Sequence, residues 1–189
     1  MSKSRRAKPS KQVRIIGGDW RGRKLSFPSI EGLRPTPDRV RETLFNWLST
    51  QIAGAHCLDL YAGSGALGFE ALSRGASSCC FVDNNKQVLS TLASSVKALN
   101  CHDRATTMLA DSGSLITLDQ SIDLVFLDPP FASHLLTGTL DWLLKSAAVH
   151  SETLIYLESP KAYELPSSGV SVLKEKTAGD VTSRLVVRR

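Results

Sequence analysis

Apolar positions along the chain recur in short continuous blocks, each closed by an acidic or turn-forming residue and followed by a stretch of helical period. Blocks of four to eight apolar residues bounded by turn signals predict buried strands of a parallel sheet. They fall at 57–61, 79–83, 106–110, 122–128 and 153–158. Helices are predicted between them at 66–74, 85–99, 112–118 and 134–148, with Val88, Leu92, Val96 and Leu99 marking the inward face of the second. Strict alternation implies right-handed crossovers and a parallel α/β sheet. Two features depart from it. At the start, 12–16 and 23–27 read as short strands around the turn-rich Gly17 to Gly22. At the end, 170–175 and 182–187 read as an antiparallel pair joined through Ala178-Gly179-Asp180. A helix is predicted after Thr36, with Thr36 as its cap, Pro37 at its first position, and Val40, Leu44, Trp47 and Leu48 on its inward face, covering the ligand pocket.

The strand ends carry the chemistry. Asp128-Pro129-Pro130-Phe131 closes the block 122–127. Two prolines cannot continue a ladder, so the chain must turn at the carboxyl end of a central strand, where open α/β sheets bind ligands. A carboxylate, a stiffly held carbonyl and an aromatic ring suit a planar base with an exocyclic amine. Asp128 and the Pro129 carbonyl can accept the amine hydrogens while Phe131 stacks on the ring. The block ending at Leu60-Tyr61 opens into Ala62-Gly63-Ser64-Gly65-Ala66-Leu67-Gly68, a G-x-G-x-x-G turn, with the acid Asp83 about 20 residues on. That spacing alone would fit a nicotinamide cofactor. Asp59 separates the readings, because a carboxylate beside the turn repels a pyrophosphate but favours the ammonium and sulfonium of S-adenosylmethionine. Asp83 can take both ribose hydroxyls, and Asp111 the adenine amine. Tyr61, Gly63, Ser64, Gly65 and Asn84 complete the expected cofactor set. A cap or turn role explains any one of the four aspartates; it explains four strand-closing aspartates poorly.

Charge is uneven. Residues 1–24 hold nine Lys or Arg and one acid, a net +8, against −3 over the rest and +5 in total. A cationic arm on a mildly acidic domain is the footprint of a polyanion partner. Lys3, Arg5, Arg6, Lys8, Lys11 and Arg14 are its candidate phosphate contacts, and Arg34 a further one; Arg39 and Arg41 serve equally well as helix-surface charges. Cys57, Cys79, Cys80 and Cys101 lack metal-ligand spacing and read as reduced thiols, and the four histidines are scattered, so no metal is expected. No 18-residue apolar run or signal peptide is present, so no membrane partner is expected and the expected location is cytoplasmic. The expected organisation is a disordered basic arm at 1–11, a hairpin-and-helix extension at 12–50 and a catalytic domain at 51–189, in a monomer.

Asp59 to Gly68, Asp83, Asp111 and Asp128 to Phe131 resemble the cofactor and catalytic motifs of class I S-adenosylmethionine-dependent methyltransferases. More narrowly, Arg34-Pro35-Thr36-Pro37-Asp38-Arg39-Val40-Arg41-Glu42 and the preceding Arg14 to Arg23 resemble the bacterial 16S ribosomal RNA guanine-N2 methyltransferase family. The resemblance runs from about Val13 to Phe131 and thins after Ser159. It implies a Rossmann-like seven-stranded sheet, mostly parallel with an antiparallel C-terminal strand. It also implies methylation of a guanine N2 in the RNA of an assembling or assembled small ribosomal subunit. Asp-Pro-Pro-Phe is shared by amine methylases of several bases, so a DNA adenine-N6 methylase is the main alternative. A non-catalytic RNA-binding protein on the same scaffold is another.

Overall fold

The computed structural model describes residues 11–30, 33, 35–111, 121–130 and 135–189. Its elements run β1 (Lys11–Arg14), β2 (Lys24–Phe27), α1 (Asp38–Trp47), β3 (His56–Leu60), α2 (Ala66–Ser73), β4 (Ser78–Asp83), α3 (Lys86–Leu99) and β5 (Ala105–Leu109). They continue with β6 (Leu124–Leu127), α4 (Leu135–Lys145), β7 (Leu154–Pro160), β8 (Val170–Ala178) and β9 (Val181–Arg188). Every predicted strand and the terminal pair are present; the helix expected at 112–118 lies outside the described residues.

Seven strands form one sheet in the order β5-β4-β3-β6-β7-β9-β8. β5 through β7 are mutually parallel, and β9 lies antiparallel between β7 and β8. From β3 the chain winds outward through β4 and β5, then returns to place β6 on the other side of β3. That reversal leaves a crevice above the carboxyl ends of β3 and β6, the usual ligand position in such sheets. β6 is buried along its whole length, as a central parallel strand covered on both faces must be. Its alternate side chains feed two cores. Leu124 and Phe126 join one with the N-terminal hairpin, α1, α2 and α3, while Val125 and Leu127 join the other with α4.

α3 shows why local pattern suffices where the neighbours along the chain decide. Asn85 accepts from the amides of Gln87 and Val88, and Asn100, at φ 52°, ends the helix in the left-handed conformation. The expected face of Val88, Leu92, Val96 and Leu99 is buried, each side chain contributing about 1.5–3 kcal/mol.

α1 corrects two expectations. Its buried face is Arg41, Leu44, Phe45 and Leu48, rotated from the expected one, and Val40 and Trp47 are only half-buried. Its first turn has no side-chain cap, because the Thr36 hydroxyl donates to Asp128 instead, at 3.2 Å. The cause of the rotation is a buried ion pair. Arg41, fully buried, lies 3.3 Å from Glu70, also fully buried, and 2.6 Å from Asp38. Arg41 also donates to the Arg14 carbonyl at 2.7 Å and the Thr36 carbonyl at 3.2 Å. Glu70 in turn accepts from the Ile16 amide and from Arg74, each at 2.8 Å. One guanidinium therefore ties hairpin, α1 and α2 together. Arg41 is a structural group rather than a surface contact for RNA.

Candidate active site

A cavity of about 680 Å³ opens above the β3–β6 crevice, lined by Asp59, Tyr61, Gly63, Ser64, Asp83, Asn84, Asp128, Pro129 and Pro130 among others. Residues from three expected motifs therefore meet in one space. Its apolar wall comes from Ile30, Leu33, Leu67 and Val88, and its floor from the turn after β3. Pro35, Thr36 and Pro37, rather than the body of α1, close one side.

The glycine turn is built from strained and unstrained parts. Tyr61 and Gly63 have φ of 62° and 53°, a conformation that is costly for tyrosine and free for glycine. The Gly63 amide donates to Asp83 at 3.0 Å, and the other Asp83 oxygen accepts from Asn85 at 2.8 Å. Each oxygen keeps a second lone pair for a ligand hydroxyl. Gly65, at φ 72°, starts α2 but does not line the cavity. Gly68 is a packing residue, since a Cβ there would run into the Phe81 ring and lie 2.7 Å from Cys79 Sγ. The Tyr61 ring turns toward α4, its hydroxyl 2.7 Å from that of Thr139.

Asp59 is buried and accepts from the Gly68 amide at 3.0 Å, so it satisfies one of the free N–H groups opening α2 as well as lining the cavity. Burial pushes its carboxyl well above the ordinary range. Asp128 is half-buried and follows β6 directly, its Oδ2 accepting the Thr36 hydroxyl. Burial pushes it up to about 6, against the opposing pull of that hydrogen bond.

Not every expected residue joins this set. Asp111 is exposed and is not part of the cavity lining, so three of the four aspartates converge. Lys11 is exposed at the start of β1, and Arg14 lies on the surface 2.9 Å from Asp38. Phe131, Arg34, Lys3, Arg5, Arg6 and Lys8 lie outside the described residues.

Two site residues escape a reading of the sequence alone. Thr36 looks like a helix cap, and only the fold brings it to Asp128. Glu158 closes the apolar block of β7 as the aspartates close theirs, so its signal is present. It is buried, lines the cavity, and accepts from the Tyr156 hydroxyl at 2.7 Å. Burial and then the neighbouring Asp128 push it up to about 8.

The chain matches the conserved hypothetical protein 95 family over residues 13–187. It is 44% identical over 187 residues to the ribosomal RNA small subunit methyltransferase D of Escherichia coli strain K12, covering 95% of this chain and 91% of that protein. The Haemophilus influenzae protein of the same name is 44% identical over 180 residues, covering 92% and 93%. A solved Escherichia coli structure described as a candidate methyltransferase superposes with a TM-score of 0.85 at 44% identity, over 94% of this chain and 98% of that one. A Thermus thermophilus 16S rRNA N2 methyltransferase in complex with AdoMet and guanosine gives a TM-score of 0.73 at 18% identity, over 96% of this chain and 50% of that one, a likeness of fold.

Proposed function

Since the chain belongs to the conserved hypothetical protein 95 family, together with the small-subunit ribosomal RNA methyltransferases D, we propose that it methylates the exocyclic N2 amine of a guanine in 16S ribosomal RNA. At the level of the family it is a ribosomal RNA methyltransferase dependent on S-adenosylmethionine; the base and the atom are the finer reading. The observation that supports an exocyclic amine as the target is Asp128 and Pro129 sharing one cavity with the glycine turn and Asp83; guanine as the base rests on the likeness to the small-subunit methyltransferases D.

The residues fit S-adenosylmethionine. A Cβ at Gly63 would come within 2.8 Å of Leu33, so the turn leaves room that only glycine permits. Asp83 would hold the ribose hydroxyls, Ile30, Leu33 and Val88 the adenine faces, and Asp59 would favour the positively charged end. When bound, the cofactor supplies a methyl group made electrophilic by its sulfonium. The rest is done by this chain. The guanine amine is a poor nucleophile because its lone pair is delocalised into the ring. Asp128 and the Pro129 carbonyl accept its two hydrogens, fixing the nitrogen and favouring its pyramidal form as attack begins. Acceptors arranged in advance stabilise that transition state without reorganisation. Thr36 orients the Asp128 carboxylate and leaves Oδ1 for the base. After transfer the nitrogen is acidic and its proton can pass to Asp128. An N2 inside a helix is out of reach, so the guanine must be unpaired or flipped out. The net positive charge of residues 1–24 supports a phosphate backbone as the partner.

The test is to incubate the protein with labelled S-adenosylmethionine and 16S RNA from cells lacking it, free and in small subunits, then map the label. A single N2-methylguanine is expected. Label on adenine, or on DNA in preference to RNA, would overturn the reading.

A further inference from the structure

The proposed chemistry uses Asp128 but leaves a second carboxylate of the same cavity without a role. Glu158 stands beside Asp128: Leu127 of β6 pairs with Leu157 of β7, and each acid is the next residue. Adjacent strands lie about 4.8 Å apart, a spacing that suits two acceptors reaching neighbouring atoms of one base edge. On guanine the atom next to the N2 amine is N1, which carries a hydrogen. Adenine carries none there. The side chain is also held in place: the Tyr156 hydroxyl donates to Oε1 and lies 3.2 Å from Ser183 Oγ. Tyr156 engages Oε1, so Oε2 is the oxygen to offer a ligand.

We propose that Glu158 is the specificity-determining residue of the site, accepting the N1–H of the guanine whose N2 amine Asp128 and Pro129 hold. The inference rests on the guanine-N2 reading above. It accounts for a carboxylate in the buried stretch of β7, where an acid without a role costs stability. The groups around it are consistent with the role. Asp128 faces it from β6, Tyr156 from its own strand and Ser183 from β9, while Arg184 lies on the opposite face against Ser159 and Glu175. Lys176 of β8, paired with Ser183, shares this face and donates to the Thr43 hydroxyl of α1 at 3.1 Å, and Arg39 and Arg41 come from α1 above it. Burial and the facing Asp128 nevertheless hold the proton on Glu158 when the site is free, and engagement of N1–H favours its release.

The test compares guanine with 2-aminopurine at the methylated position of 16S RNA, used both free and in reconstituted small subunits. 2-Aminopurine keeps the N2 amine but has a bare N1. Glu158→Gln preserves the acceptor for Tyr156 and turns an N–H donor toward N1. The guanine-to-2-aminopurine ratio of kcat/KM should fall by about 10²-fold in Glu158→Gln relative to the parent protein. Taking this ratio of ratios cancels the intrinsic reactivity of the two amines. The parent ratio should rise from about pH 6.5 to about pH 8.5 and that of the variant should stay flat. An unchanged ratio in Glu158→Gln would reduce Glu158 to a support for Tyr156 and overturn the proposal. Failure of the parent protein to methylate guanine N2 would instead overturn the reading on which it rests.

Discussion

At the scale of single residues, two carboxylates share one corner of the cavity, and their positions have consequences for rate and stability. Asp128→Ala should lower methyl transfer by about 10²-fold or more, the usual cost of losing a transition-state acceptor. S-adenosylmethionine affinity should be nearly unchanged; single-turnover kinetics and calorimetry separate the two. Asp83→Ala should do the reverse, weakening the cofactor by about 1–3 kcal/mol, measured by titration calorimetry. The acidity of the pair also sets a pH dependence. Folding raises Asp128 from 3.8 to about 6 and Glu158 from 4.5 to about 8. Across that window the folded chain binds more protons than the unfolded one, so this pair makes stability fall as pH rises from about 4 through about 8. Asp128→Asn removes one of the two charges. It should raise the urea midpoint at pH 8 relative to the parent and leave it little changed at pH 4. Methyl transfer should rise through about pH 6 as Asp128 ionises into an acceptor.

At the scale of elements, the site depends on how closely α2 and α1 approach the sheet. Gly68 lets α2 lie against Phe81 and Cys79 of β4, and Gly68→Ala forces a Cβ against the Phe81 ring. Overpacking of this kind should cost about 1–3 kcal/mol in denaturant unfolding. It should also disturb the amide that Asp59 accepts, and with it the start of the helix. Arg41 holds α1 to α2 through Glu70, and it bonds the backbone of Thr36, whose hydroxyl reaches Asp128. Arg41→Ala leaves Glu70 buried with one cation fewer and should cost about 3–5 kcal/mol, read from urea midpoints. Activity at temperatures where the variant stays folded should fall as well, because Thr36 loses its anchor. Arg39, exposed on the same helix and outside this network, should tolerate alanine within about 0.5 kcal/mol.

At the scale of the whole molecule, charge and fold are separate. The core begins at Val13, and Lys11 pairs with Phe27 across the hairpin, so a truncation that spares the fold ends at residue 10. Removing residues 1–10 takes Lys3, Arg5, Arg6 and Lys8 from the basic segment. Thermal stability and S-adenosylmethionine affinity should survive. RNA affinity should fall, and its log–log dependence on salt should flatten by about 0.7–0.9 for each phosphate the shortened chain no longer neutralises. The methylated base should stay the same, because phosphate contacts position a protein while the pocket reads the base. Filter binding over a salt series checks the first two outcomes and nucleotide mapping the third.

Features that depend on neighbours along the chain are legible without the fold. The alternation of strands and helices, the buried face of α3 and the glycine turn all follow from local pattern and backbone freedom. So does the position of Asp83 and Asp128 at strand ends; Asp59 instead lies inside β3, just ahead of Leu60, where the Gly68 amide satisfies the buried carboxylate. Tertiary structure decides whatever needs a partner far away in the chain. Thr36 carries a sound capping pattern, but its hydroxyl serves Asp128, 92 residues on. Arg41 looks like a surface charge until Glu70, 29 residues on, supplies the carboxylate that makes its burial tolerable. Asp111 shares the strand-end signature of Asp83 and Asp128, yet it follows β5, the edge strand, and the cavity lining runs from Asp83 of β4 across β3 and β6 to Glu158 of β7. Glu158 is the opposite case: its strand-end position is readable, but its meaning depends on β7 pairing with β6. Local pattern sets which side chains stand at the rim; strand order sets which of them can touch one ligand.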